Sequence, residues 1–170
     1  WAKAPRYNGR PAETGPLADM LISGNELFVE RVEASGASVL LRELARLVRP
    51  AVLLPAIDQW LEEMSTCDSP FYEGHTKLVT AKGYGLVPAP RGGLGHWVTI
   101  ENGMIDNYQV ITPTAWNASP KDAQGVRGPW EQAILGTRVH DPQNPIEVEQ
   151  IVRSFDPCLV CTVHAIRMPR

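Results

Sequence analysis

The chain has 170 residues, 44% of them apolar and 21% charged, and a formal net charge of −3. That length supports one domain with a sizeable core, and the mild acidity gives neither nucleic acid nor an anionic membrane a surface to hold. Three cysteines make no secreted disulfide framework, no apolar run reaches membrane-spanning length, and a start at Trp1 without an initiator Met or signal peptide points to a fragment of something longer.

Residues 1–15 hold Pro5, Gly9, Pro11 and Gly15 and read as an irregular lead-in. A short helix follows Pro16, with Leu17, Met20 and Leu21 on one side. The clearest helical spacing covers residues 37–64, through Leu40, Leu44, Leu47 and Val48 and then Val52, Ile57, Trp60, Leu61 and Met64. Pro50 and Pro55 are expected to kink or split this helix. Its apolar stripe is expected to pack into a core, and Arg42, Glu43, Arg46, Arg49, Glu62 and Glu63 to form a solvated face. A loop over 65–75 contains Cys67 and His75, both read as non-ligands.

From 76 to 112 the period shifts toward two. Residues 77–80 and 84–87 are strand candidates, and 97–100 with 104–111 make a better pair. Asn102-Gly103 joins that pair, and a type I′ turn needs positive φ at both central residues. Residues 88–93, Pro-Ala-Pro-Arg-Gly-Gly, separate the two strand pairs, stiff before Arg91 and free to turn after it. A guanidinium so presented suits an anion or a dipole, or is an ordinary surface arginine. His96 suits a hydrogen-bonded structural role, and Trp116 and Trp130 suit packing. Residues 113–128 read as loop, Pro129 opens a short helix ending near Gly136, and Asn144-Pro145-Ile146-Glu147 reads as cap, first helical residue and capping-box glutamate of a helix carrying Ile146, Ile151 and Val152. The whole predicts an α+β fold of kinked helices packed on a small antiparallel sheet.

The last helix leads into Asp156-Pro157-Cys158-Leu159-Val160-Cys161-Thr162-Val163-His164. Asp156 fits an N-cap and Pro157 a first helical position, which would set Cys158 and Cys161 on one face near the positive end of a helix, where thiolate is favoured. Thiolates bind soft metals and His164 can ligate beside them, so the local chemistry is a metal site, a redox dithiol or a pair of small buried residues. A closed zinc site needs four ligands, and the remaining Cys67, His75, His96 and His140 form no second tight pair.

Ser154-Phe155-Asp156-Pro157-Cys158-Leu159-Val160-Cys161-Thr162-Val163-His164 resembles the C-terminal motif of the nickel–iron hydrogenase large subunit. Ala89-Pro90-Arg91-Gly92 with Gly95-His96-Trp97 resembles a second block of that family, and Asn107-Tyr108-Gln109 with Pro113-Thr114-Ala115-Trp116-Asn117 a third. Gly128-Pro129-Trp130-Glu131 with Gly136-Thr137, and Lys3-Ala4-Pro5-Arg6-Tyr7 with Gly15-Pro16-Leu17-Ala18, resemble two more, so the likeness runs along nearly the whole chain.

The resemblance implies that residues 1–170 are a C-terminal segment with part of the hydrogenase large-subunit fold, and that the chain takes part in reversible heterolytic cleavage of dihydrogen. It implies Cys158 as a terminal nickel ligand and Cys161 as a bridge between nickel and an iron that carries cyanide and carbon monoxide. Arg91 and Thr114 match donors to the cyanides, Pro90 and Pro113 their apolar neighbours, and His164 with the backbone carbonyl of Val110 a magnesium site. Cys158 is the expected first proton acceptor, and Asp156 the expected partner of Arg91. The family's N-terminal cysteine pair is missing, so the resemblance implies a further large-subunit portion, together with a small subunit carrying iron–sulfur clusters. Residues 165–170 match a tail that a maturation endopeptidase removes. The location implied is cytoplasmic, with membrane association only through partners. Two alternatives stay open: a hydrogen-sensing member with the same centre, and a small structural zinc domain using Cys158, Cys161 and His164.

Overall fold

The computed structural model describes residues 3–70, 72, 74 and 79–158, so His75, residues 77–78, Cys161, His164 and the tail 165–170 lie outside the described residues. Three helices come first: α1 (Pro16–Ile22), α2 (Glu26–Ser35) and α3 (Val39–Ser65). A meander of β1 (Ala81–Ala89), β2 (Gly92–Glu101) and β3 (Met104–Ile111) follows, antiparallel and in the order β1-β2-β3. Then come α4 (Pro113–Asn117), α5 (Pro129–Ile134) and α6 (Ile146–Ser154). The fold is α+β, as expected. Among the described residues no helix is long and apolar enough to cross a membrane.

The core lies between the first three helices. Leu17 and Met20 of α1, Phe28 of α2, and Leu41 and Ala45 of α3 are buried together, with Leu21, Val32, Leu44 and Val48 packed against them. The stretch forming α2 had no reading from the sequence, yet its Phe28 is fully buried. Ser38 caps α3, its Oγ accepting from Leu41 N at 3.2 Å. Neither Pro50 nor Pro55 splits α3. Each removes one intrahelical hydrogen bond, and the turns on either side carry the helix through.

Two expectations for α3 hold only in part: Leu44 and Val48 pack on the core and Glu43, Glu62 and Glu63 are exposed, but the rest departs. Leu40 and Leu47 are exposed, and so are Val52, Ile57, Trp60, Leu61 and Met64, so most of the apolar stripe has no partner among the described residues. The arginines face inward instead. Arg42 is buried in a two-pronged ion pair with Glu13, Nε to Oε1 and Nη2 to Oε2 both at 2.8 Å, with its Cζ 3.9 Å from the centre of the Phe155 ring. Charge pairing and the aromatic face make a buried guanidinium tolerable there.

The sheet is longer than expected and its first connection tighter. Val79 and Thr80 precede β1, and the stretch read as a separator is mostly strand, because Ala89 pairs with Gly92 and leaves only Pro90-Arg91 as the turn. Pro88 sits in an edge strand, where a missing N–H is tolerated. Asn102 and Gly103 have φ of 53° and 74°, the double positive φ of the predicted turn. Pro113 and Thr114 lie in α4 rather than loop, since a proline at the first helical position starts a turn. The capping box at 144–147 does not form: Pro145 is the N-cap of α6, and Glu147 Oε1 accepts from His140 Nδ1 at 2.5 Å instead.

Thr14 ties the N-terminal segment to the rest. Its N–H donates to Asn117 Oδ1 and its carbonyl accepts from Asn117 Nδ2, both at 2.9 Å, while its Oγ1 accepts from Gly93 N at 2.7 Å. Gly92, with φ of 129°, touches the same place: a Cβ there would stand 2.6 Å from Thr14 Oγ1 and 2.7 Å from Gly15 N. Asn117 is 2% exposed, so removing its side chain strands both Thr14 backbone groups. Asn117→Ala is expected to lower the denaturant midpoint by an amount corresponding to about 2–4 kcal/mol, and an unchanged midpoint in urea unfolding would show that Thr14 finds other partners.

Candidate metal centre

Three elements bring four of the residues of interest together. The two-residue turn between β1 and β2 presents Arg91, α4 presents Thr114, and the segment after α6 presents Asp156 and Cys158. Arg91 Nε lies 3.2 Å from Asp156 Oδ2. Thr114 Oγ1 accepts from Cys158 N at 3.0 Å, and Thr114 is 3% exposed. A hydroxyl that accepts through a lone pair still has its proton to donate. The ion pair is more open, with side-chain exposures of 49% for Arg91 and 39% for Asp156. Pro90 precedes Arg91 in the turn and Pro113 precedes Thr114 in α4.

Asp156 reaches Arg91 through an unusual backbone. Its φ is 52°, and its N–H bonds to the Arg153 carbonyl at 2.8 Å, so it ends α6 as a left-handed residue instead of capping a new helix. That position is usually glycine, and aspartate is among the few others that tolerate it. Pro157 and Cys158 are not helical, so the expected helix does not begin at Pro157. Cys158 is disulfide-bonded. A disulfide sulfur is not a thiolate, so ligation requires reduction first.

The Val110 carbonyl accepts from Lys3 Nζ at 2.7 Å, which uses one of its two lone pairs. His96 Nδ1 is bonded to the Tyr108 hydroxyl at 2.6 Å across β2 and β3, the structural role expected. Cys67 is free and exposed. Among the described residues no three His, Cys, Asp or Glu are grouped to hold a metal ion. The donor set here fits one side of a thiolate-bound metal centre: one sulfur, a buried hydroxyl with a proton to give, and a guanidinium held in place by a carboxylate.

Behind the site, Asp19 of α1 faces Arg49 of α3, with Oδ2 3.4 Å from Nη2 and no hydrogen-bond geometry. Burial pushes the Asp19 carboxyl above its ordinary 3.8, and the Arg49 charge offsets part of that. This contact leaves no local pattern in the sequence, because the aspartate and the arginine stand thirty residues apart.

A model of the nickel-dependent hydrogenase family matches residues 1–164. The uptake hydrogenase large subunit of Afipia carboxidovorans is 36% identical over 197 residues, covering 98% of this chain and 32% of that protein. The Hydrogenase-1 large chain of Escherichia coli is 36% identical over 188 residues with the same coverage. Among solved structures, the reduced Ni-Fe-Se hydrogenase from D. vulgaris Hildenborough superposes with a TM-score of 0.79 at 35% identity, over 95% of this chain and 37% of that one. The chain therefore spans about a third of the length of the curated relatives it matches.

Two outcomes follow from the geometry. The folded form binds the Asp19 proton more tightly than the unfolded form, so stability falls as pH rises from 3.8 through the raised pKa. Arg49→Met should move that pKa further up, read by NMR titration of the carboxyl carbon; a downward move would contradict the assignment. Secondly, thiol labelling of Cys158 should appear only after treatment with a phosphine reductant; equal labelling without reductant, by mass spectrometry of the Cys158 peptide, would contradict the disulfide.

Proposed function

We propose, for a chain that belongs to the nickel-dependent hydrogenase family, that it supplies the C-terminal part of the metal centre of an enzyme that cleaves dihydrogen to protons and electrons. The observation that carries this is the meeting of Arg91, Asp156, Thr114 and Cys158 from three separate elements. Cys158 and Cys161 are proposed to hold the nickel, and Cys161 would also help to hold an iron bearing cyanide and carbon monoxide. When bound, the nickel–iron centre supplies the Lewis acidity that polarises dihydrogen.

The residues of the chain then have separate tasks. The reduced Cys158 Sγ would accept a proton, a thiolate being the base that these residues offer. Arg91 is too weak an acid to give up its own proton, and Asp156 holds it as a fixed positive charge. The Thr114 hydroxyl, anchored by the Cys158 N–H, would donate to a cyanide ligand, with Pro90 and Pro113 as its proposed apolar neighbours. The backbone carbonyl of Val110, with His164, is proposed as a magnesium site; Lys3 competes there with its own positive charge, so magnesium has to use the other lone pair.

The exposed Val52, Ile57, Trp60, Leu61 and Met64 support packing against a further large-subunit portion, which would bring the other thiolates. The proposed partners are that portion, a small subunit with iron–sulfur clusters that carries electrons away, and an endopeptidase that removes residues 165–170. A cytoplasmic location belongs to the same proposal, although a relative from Desulfomicrobium baculatum is named periplasmic, and cell fractionation decides between them.

Infrared spectra of the purified complex should contain cyanide and carbonyl stretches, and metal analysis should find nickel and iron. Zinc without either metal would defeat the reading. Arg91→Lys should keep the metals but lower hydrogen oxidation by roughly a hundredfold, because a lysine is a single point charge in place of a planar fork. Turnover at the wild-type rate would remove Arg91 from the machinery.

A further inference from the structure

The arginines of α3 bear on the site from behind. Arg49 Nη1 donates to the Ala89 carbonyl at 3.2 Å and to the Pro90 carbonyl at 3.0 Å, and its Nη2 donates to the Pro88 carbonyl at 3.3 Å. Three consecutive carbonyls immediately before Arg91 therefore converge on one guanidinium, which is only 16% exposed and is flanked by Asp19. Arg46, three residues earlier on the same helix, donates from Nη2 to the Ser154 carbonyl at 3.0 Å, two residues before Asp156.

Three residues of helix rise about 4.5 Å, so Arg46 and Arg49 sit on adjacent turns of one face. Each fixes one of the two segments whose side chains meet at 3.2 Å, Arg49 the turn that carries Arg91 and Arg46 the end of α6 that carries Asp156. Local structure shapes each segment, the hairpin pairing of Ala89 with Gly92 and the bond from Asp156 N to the Arg153 carbonyl, but does not join the two. Asp156 stands in a left-handed conformation at a helix end, and Arg91 stands at the tip of a hairpin with half its side chain in solvent.

We propose that Arg49 is a positioning residue for this site: it clamps residues 88–90 so that Arg91 meets Asp156, with Arg46 clamping the opposite segment. This rests on the proposed hydrogenase role for its consequence in catalysis, while the clamp itself is a property of the chain. A guanidinium reaches three carbonyls because its donors fan out in a plane; a lysine ammonium has no such fan and can keep only part of the contact. Displacement of a catalytic group by a fraction of an ångström is enough to slow a reaction severely.

The test uses the complex purified from its own host, with Arg49→Met and Arg49→Lys. Hydrogen–deuterium exchange of peptides covering residues 88–93 should quicken in Arg49→Met. Nickel content should stay at the wild-type level, the cyanide stretches should shift, and hydrogen oxidation should fall about tenfold in kcat with KM unchanged. Arg49→Lys should lie between the two on every readout, and it stands in if Arg49→Met does not fold. Arg46→Met should quicken exchange at 154–156 instead of 88–93. Unchanged exchange at 88–93 overturns the proposal, and so does quickened exchange with wild-type stretches and turnover, which leaves Arg49 merely structural. A wild-type complex with no cyanide stretches and no nickel defeats the hydrogenase reading, not the clamp, which the exchange arm still decides.

Discussion

The buried ion pair between Arg42 and Glu13 is the constraint on which the rest of the structure leans. Arg42 projects from α3 and Glu13 from the N-terminal lead-in, and the ring of Phe155 lies against the guanidinium. A guanidinium taken out of water is tolerated only while its charge is met, and breaking such a pair by removing one partner costs about 3–5 kcal/mol. Because its partners come from three separate parts of the chain, that penalty is also a penalty on letting them drift. The lead-in then carries Thr14 to Asn117 and Gly93, and Phe155 is the residue before Asp156.

A second consequence is that polar contacts reach where apolar ones do not. Among the described residues the main apolar cluster lies in α1, α2 and α3, with Ala115 and Phe155 buried apart from it, while β1 and β3 are largely exposed. The sheet is held to the helices chiefly through Arg49, Thr14 and Asn117, all of them bonding to backbone. Backbone carbonyls and amides are fixed in direction by the strands and helices that contain them. A side chain bonded to them fixes distance and orientation together, which loose apolar contact does not.

Local features were legible where geometry is set by one or two residues. Asn102-Gly103 gave its turn, Pro16 and Pro129 their helix starts, and the family motifs drew attention to Arg91, Thr114, Asp156 and Cys158. The facing of α3 was not legible. Its apolar stripe has the right period for a core face, but periodicity says only which residues share a side. The side that faces inward here is decided by Glu13 and by the carbonyls of residues 88–90 and 154, which are remote in sequence. Asp156 was misjudged for a related reason. An aspartate before a proline fits an N-cap, and the same short carboxylate also fits a left-handed helix end.

The site combines a stiff half with an open half. Thr114 is buried and bonded to the Cys158 amide, so the direction in which its proton points is restricted by the backbone. Among the described residues Arg91 is the open half, its side chain paired with Asp156 and its backbone placed by the hairpin and the clamp of Arg49. An exposed ion pair alone contributes little, because solvent screens it and two side chains must be ordered. Here the backbones on both sides are held one layer back, in carbonyls bonded to Arg46 and Arg49, so the pair between Arg91 and Asp156 bears only the cost of ordering its side chains. That division places the rigidity in α3 and leaves a guanidinium charged and half in solvent at the tip of the hairpin.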